Sequence, residues 1–202
     1  MTSPPRLVFI DFEASSLHPT SYPVEVGVAE PRRDDTGWII TVQGWLIRPA
    51  DEWLARPDGW SAASERIHGL DRDTLLREGV PIPDIAAALD EALHGRITVS
   101  STGRHSWDEA WLAVLADASG APPWPPRWKV AKEPSGDLHR GLARRAGLSD
   151  DDLMRLLATA PPHAHTAGGD AYRDAYVWAS LKEPDGEPPR LDPTSSYRRR
   201  DP

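Results

Sequence analysis

The chain has 202 residues, no cysteine, nine Trp, 21 Pro and a net charge of -8 from 31 acids against 23 bases. This length can bury a self-sufficient core, and the missing cysteine excludes a disulfide scaffold, a thiolate zinc site, an iron–sulfur cluster and a cysteine nucleophile, while suiting a reducing, cytoplasmic setting. The acid excess argues against a broad basic nucleic-acid coat and leaves nucleic-acid chemistry to a site where bound cations carry the phosphate contacts.

The opening residues show no basic stretch leading into an apolar run, so no secretory signal is expected, and the apolar runs are too short to span a bilayer. Residues 6–11 predict a short buried strand, since Leu7 to Ile10 are continuously apolar. Residues 22–29 alternate, with Val24, Val26 and Val28 on one face and Glu25 and Gly27 on the other. Residues 37–47 are rich in β-formers, and Asp34 to Gly37 supplies turn chemistry for a hairpin. Residues 49–83 carry four Pro and read as irregular. A helix follows at 84–94, a strand at 97–101 and a helix at 107–117, whose apolar face is Trp107, Trp111, Leu112 and Leu115. After a rigid Pro-rich loop, 128–131 is the expected fifth strand, and 136–147, 150–158 and 170–181 are helical. From 183 to 202 apolar residues almost vanish, which predicts a flexible tail beyond a single domain of residues 1–182. The sum is an α/β fold: a mixed five-stranded sheet flanked by helices.

Three places carry possible chemistry. Asp11 and Glu13 lie at the end of the first strand and share a face, because side chains alternate along a strand. Paired carboxylates repel unless protonated or bridged, and hard divalent ions such as Mg²⁺ or Mn²⁺ favour such oxygens. Two solvated acids at a strand end give the same pattern. His165 and Asp170 are five residues apart, so they converge only if His165 sits on a loop and Asp170 opens the helix, with Gly168 and Gly169 at the break. Taken singly, Asp170 is equally a helix-start acid and His165 a solvated loop histidine. Asp108 also begins a helix, with Glu109 as its competitor.

Their order along the chain resembles the DEDDh family of 3′→5′ exonucleases, of the ribonuclease H-like superfamily, which includes proofreading subunits, oligoribonucleases and ribonuclease T. The likeness spans roughly residues 6–180. It also takes in Leu17, the strand 24–28, the turn Ile67-His68-Gly69-Leu70 and the helix from Asp137. Arg104 and Trp107 stand where many members have Asn and Phe.

The resemblance implies that Asp11, Glu13, Asp108 and Asp170 hold two divalent cations, Mg²⁺ or Mn²⁺, and that His165 is the general base. The partner it implies is the 3′ end of a DNA or RNA strand, cleaved to 5′-mononucleotides. Main-chain groups at Glu13 and Ala14 would meet the terminal 3′-hydroxyl. Leu17, His68 and Trp107 would contact bases, and Arg104 and His105 a phosphate. Two other readings stay open: a phosphodiesterase for very short oligonucleotides, and a non-catalytic nucleic-acid-binding module.

Overall fold

The computed structural model describes residues 6–102, 107–120, 128 and 130–199. Its strands are β1 (Leu7–Ala14), β2 (Pro23–Asp34), β3 (Gly37–Leu46), β4 (Ile97–Ser100) and β5 (Arg190–Leu191). The helices are α1 (Asp51–Leu54), α2 (Ala62–His68), α3 (Arg72–Glu78), α4 (Ile82–Leu93), α5 (Trp107–Ala118), α6 (Ser135–Arg145), α7 (Asp150–Thr159) and α8 (Ala167–Lys182). The sheet order is β4-β1-β2-β3-β5. Strands β1, β2 and β3 run antiparallel in sequence, whereas β4 and β5 pair in parallel with β1 and β3. This is the expected mixed five-stranded sheet, and the predicted hairpin pairs Asp34 with Gly37.

Strand alternation builds the two layers. Val8, Ile10 and Phe12 of β1, with Val24, Val26 and Val28 of β2, face a core closed by α4 and α5. Phe9 and Ala29 face the other side, where Ala171 and Ala175 of α8 pack. By the same alternation Asp11, Glu13, Glu25 and Gly27 lie on the α8 side. Among the described residues no helix is long and apolar enough to cross a membrane.

Three expectations are corrected. The fifth strand is not 128–131: Val130 makes one isolated bridge to Thr98, and residue 129 lies outside the described residues. The stretch 49–83 contains three short helices. Two carry side-chain caps: Ser61 accepts from the Ala63 and Ser64 amides, and Asp71 from that of Thr74. The expected flexible tail instead folds back from residue 190. Its hold is mostly backbone pairing and ion pairs, joined by its few apolar side chains Leu191 and Tyr197, which explains why a scarcity of apolar residues misled. Asp192 is buried, pairs with Arg32 and accepts from the Thr41 hydroxyl at 3.1 Å, while its amide donates to the Ile40 carbonyl at 2.8 Å.

Helix α6 buries His139 against Phe9, ring centroids 6.3 Å apart, with Nε2 donating to the Asp174 carbonyl at 3.1 Å. Burial pulls its pKa from 6.5 down to about 4. Between those values the unfolded chain binds a proton that the native state refuses, so stability falls as pH falls. The full effect is on the order of 3 kcal/mol. In urea titrations across that window, His139→Gln should therefore show a flatter pH dependence than the parent. Parallel curves would rule the linkage out.

Candidate active site

Glu13, His165 and Asp170 meet on the α8 side of the sheet, at the carboxyl end of β1. Asp11 pairs across the ladder with Gly27, and Glu13 with Glu25. The register slips between Glu13 and Ala14, which loosens the strand where Ala14 ends it. Strand β4 runs parallel beside β1, with Ser100 opposite Ile10, and delivers the chain toward α5. Asp108, in the first turn of α5, is 3% exposed and accepts the Thr102 hydroxyl at 2.6 Å. Its carboxyl is raised by burial, against which hydrogen bonds from Thr102, Ser100 and Ser101 act.

Helix α8 supplies the opposite wall. Thr166 caps it by accepting the Gly169 amide at 3.2 Å, so Asp170 falls in its first turn and His165 stays on the preceding loop. His165 is on a loop as expected, but the helix opens at Ala167 rather than at Asp170, with Gly168 and Gly169 inside it. Asp170 Oδ1 accepts the Ala164 amide at 2.9 Å. One ligand atom each from Glu13, His165 and Asp170 lies within 4.8 Å of the others. His165 is exposed and has φ of +49°, a left-handed conformation that costs a non-glycine residue energy and often marks a working site.

The close fit of α8 depends on two glycines. A Cβ on Gly27 would stand 2.2 Å from the Gly168 nitrogen and 2.3 Å from the Ala167 carbonyl carbon. One on Gly168 would stand 2.6 Å from the Tyr197 Cβ. Gly27 thus lets the start of α8 lie directly on β2, beside the partner position of Asp11.

The carboxylates feel one another. Asp11 is pushed well above the usual carboxylate range, first by burial and then by Asp108, Glu13, Asp170 and Asp174. Asp174, one turn along α8, is raised to about 6 by burial, partly opposed by a hydrogen bond with Ser135. It is a fifth acid of the cluster. The Arg173 guanidinium reaches the carbonyls of Leu157, Ala160 and Pro161. His163, on the same loop as His165, brings Nδ1 to 3.4 Å from Asp170 Oδ1. The helical period points to Asp174, whereas His163 depends on the path of the loop.

The residues expected to contact bases divide. Leu17 is 68% exposed, and Trp107 is 39% exposed while stacking on Trp111 at 5.6 Å. Trp111 is anchored by its Nε1 donating to Ser21 at 3.0 Å. His68 does not fit the expected role: it is 1% exposed, and its Nδ1 accepts the Leu70 amide at 3.1 Å. Nδ1 thereby holds the turn at Gly69, whose φ is +71°. Arg104 and His105 lie outside the described residues.

The donor set suits hard divalent cations. Carboxylate oxygens converge with an imidazole, and their mutual repulsion is what a dication relieves.

No family model matches the sequence, and no curated protein matches it. Solved structures do. E. coli Exonuclease I in complex with a dT13 oligonucleotide is similar with a TM-score of 0.63 at 18% identity, over 89% of this chain and 41% of that one. Exonuclease I from Methylocaldum szegediense is similar with a TM-score of 0.62 at 15% identity, over 90% and 42%. The chain therefore spans about two fifths of the length of these proteins. At such identity the likeness speaks for the fold: α/β, with the ribonuclease H-like mixed sheet flanked by helices.

Proposed function

We propose that this chain is a divalent-cation-dependent 3′→5′ exonuclease that hydrolyses the terminal phosphodiester of a single-stranded nucleic acid and releases 5′-mononucleotides. The observation that carries the reading is the electrostatic cluster of Asp11, Glu13, Asp108 and Asp170, with His165 at its exposed edge. The solved structures of E. coli Exonuclease I with oligonucleotides support it by their shared fold.

Asp11, Glu13, Asp108 and Asp170 would hold two cations, Mg²⁺ or Mn²⁺. Such ions, when bound, acidify water, neutralise the phosphate and stabilise the departing 3′-oxygen. His165 takes the proton from the attacking water as its oxygen bonds to phosphorus. The bond from phosphorus to the 3′-oxygen of the preceding nucleotide breaks, and that oxygen collects a proton from solvent. The exposed loop position lets the ring meet the water and then return its proton to bulk. Leu17 and Trp107, the latter backed by buried Trp111, offer apolar faces to the terminal bases, where stacking contributes about 1–3 kcal/mol per base without reading sequence. Main-chain groups at Glu13 and Ala14 meet the terminal 3′-hydroxyl.

The test is a panel of single-stranded DNA, duplex DNA, RNA and dinucleotides, labelled at either end, in Mg²⁺ or Mn²⁺. The expected result is stepwise release of mononucleotides from the 3′ end, halted by EDTA. His165→Ala should lower the rate by about 10²–10⁴-fold, the usual worth of a positioned base, with Mn²⁺ binding by calorimetry retained. Internal cuts, release from the 5′ end or activity in excess EDTA would overturn the assignment.

A further inference from the structure

The segment after β5 crosses the sheet and ends behind the proposed base. Its backbone is stitched to β3: the Ser196 amide donates to the Val42 carbonyl at 2.9 Å, and the Gly44 amide to the Ser196 carbonyl at 2.8 Å. That register lays Tyr197 across Gly44 and Gly168. Arg198 follows, and its guanidinium has three partners. Nε and Nη2 donate to Glu25 at 3.2 and 2.6 Å. Nη1 donates to the His68 carbonyl at 2.9 Å, and Nη2 reaches the His165 carbonyl at 3.4 Å. Glu25 itself is 1% exposed and also accepts the Ala167 amide at 3.3 Å. One planar fork thus joins β2, the turn after α2 and the loop that carries His165, a geometry that lysine cannot reproduce.

We propose that Arg198 is a positioning residue for the nuclease reaction: by tying the His165 carbonyl to buried Glu25, it holds the left-handed backbone that presents the imidazole beside Glu13 and Asp170. The inference rests on His165 being the base. The strain at His165 persists only where surrounding contacts over-determine it, and the two residues after it are already fixed, Thr166 as helix cap and Ala167 by Glu25. Arg198 supplies the contact on His165 itself. Its guanidinium is committed to Glu25 and the His68 and His165 carbonyls, so it acts through the loop.

A double-mutant cycle separates positioning from bulk stability. Arg198→Lys, Arg198→Ala, and Arg198→Ala combined with Glu25→Gln should each be prepared in the full chain, with His165 present or replaced by Ala. The third variant removes the buried charge that Arg198→Ala strands, so a folded protein is available even if the single change unfolds the chain. With His165 present, kcat should fall about ten- to a hundredfold in the folded Ala variants, as for a misplaced reacting group, with KM little changed. Arg198→Lys should fall between these and the parent. In the His165→Ala background the loss should vanish. Equal losses in both backgrounds would make Arg198 merely structural and overturn the proposal. A second arm needs no activity: amide hydrogen exchange at 164–169 should quicken in the folded Ala variants while β1 and β2 stay protected. Unchanged exchange there overturns the proposal even if the parent proves inert on nucleic acid, an outcome that would separately remove the nuclease reading.

Discussion

Asp11→Asn should abolish Mn²⁺-dependent release of mononucleotides while making the cation-free protein more stable. Asp11 is the carboxylate that all the other acids press upon. At neutral pH its charge is disfavoured by burial and by four neighbouring carboxylates, so replacing it with a neutral isostere relieves repulsion. The expected gain is about 0.5–2 kcal/mol, the range of single stabilising changes at strained functional positions. The activity loss should exceed about 10³-fold, because removing one preorganised electrostatic group alone costs roughly 10²–10³. The rise in Tm that Mn²⁺ gives the parent should shrink in the same variant. Asp170→Asn makes a cleaner second case, since its amide oxygen can still accept from Ala164 while the charge is gone. Full turnover in either variant would remove the two-cation assignment.

The largest stability effect is expected from Gly27→Ala. The added Cβ would sit 2.2 to 2.5 Å from the backbone of Ala167 and Gly168, atoms of a helix start that cannot yield like the tip of a side chain. Overpacking of this kind costs about 1–3 kcal/mol when side chains can shift, and more where they cannot, so a loss of at least about 3 kcal/mol is expected. In a chain of this size that lowers Tm by roughly 6–12 °C. Gly141→Ala is the matched control. It lies inside α6, its new Cβ would meet only the guanidinium end of Arg145 at 3.5 Å, and helix propensity favours alanine there by about 0.8–1.0 kcal/mol. Thermal unfolding of the two variants should move in opposite directions. Parent-like stability in Gly27→Ala would mean that α8 does not sit on β2 this tightly.

The same glycines show which parts of the molecule were legible in the sequence. Alternation paired Asp11 with Glu13 on β1 and Glu25 with Gly27 on β2, and the ladder register then brings the two pairs onto one face. A loop histidine and a helical aspartate were read correctly, but the break between them lies at Thr166; Gly168 and Gly169 are inside α8, and the room that Gly168 leaves for Gly27 and Tyr197 depends on distant partners. Short capped helices between residues 51 and 78 were hidden by proline density, even though Ser61 and Asp71 carry cap chemistry. His68 matched a pattern for contact with bases, yet its ring closes its own turn. The last stretch was hardest to read, because backbone pairing and buried ion pairs leave little trace in composition.

That last stretch has another consequence. Strand β3 is ten residues long and stands at the margin of the sheet, where unpaired amides and carbonyls would template the strand of a second molecule. Arg190 and Leu191 occupy part of that margin, and the Ser196 bridge blocks it again at Gln43. A chain shortened before residue 190 would bare this border and become prone to self-association, whatever became of its chemistry.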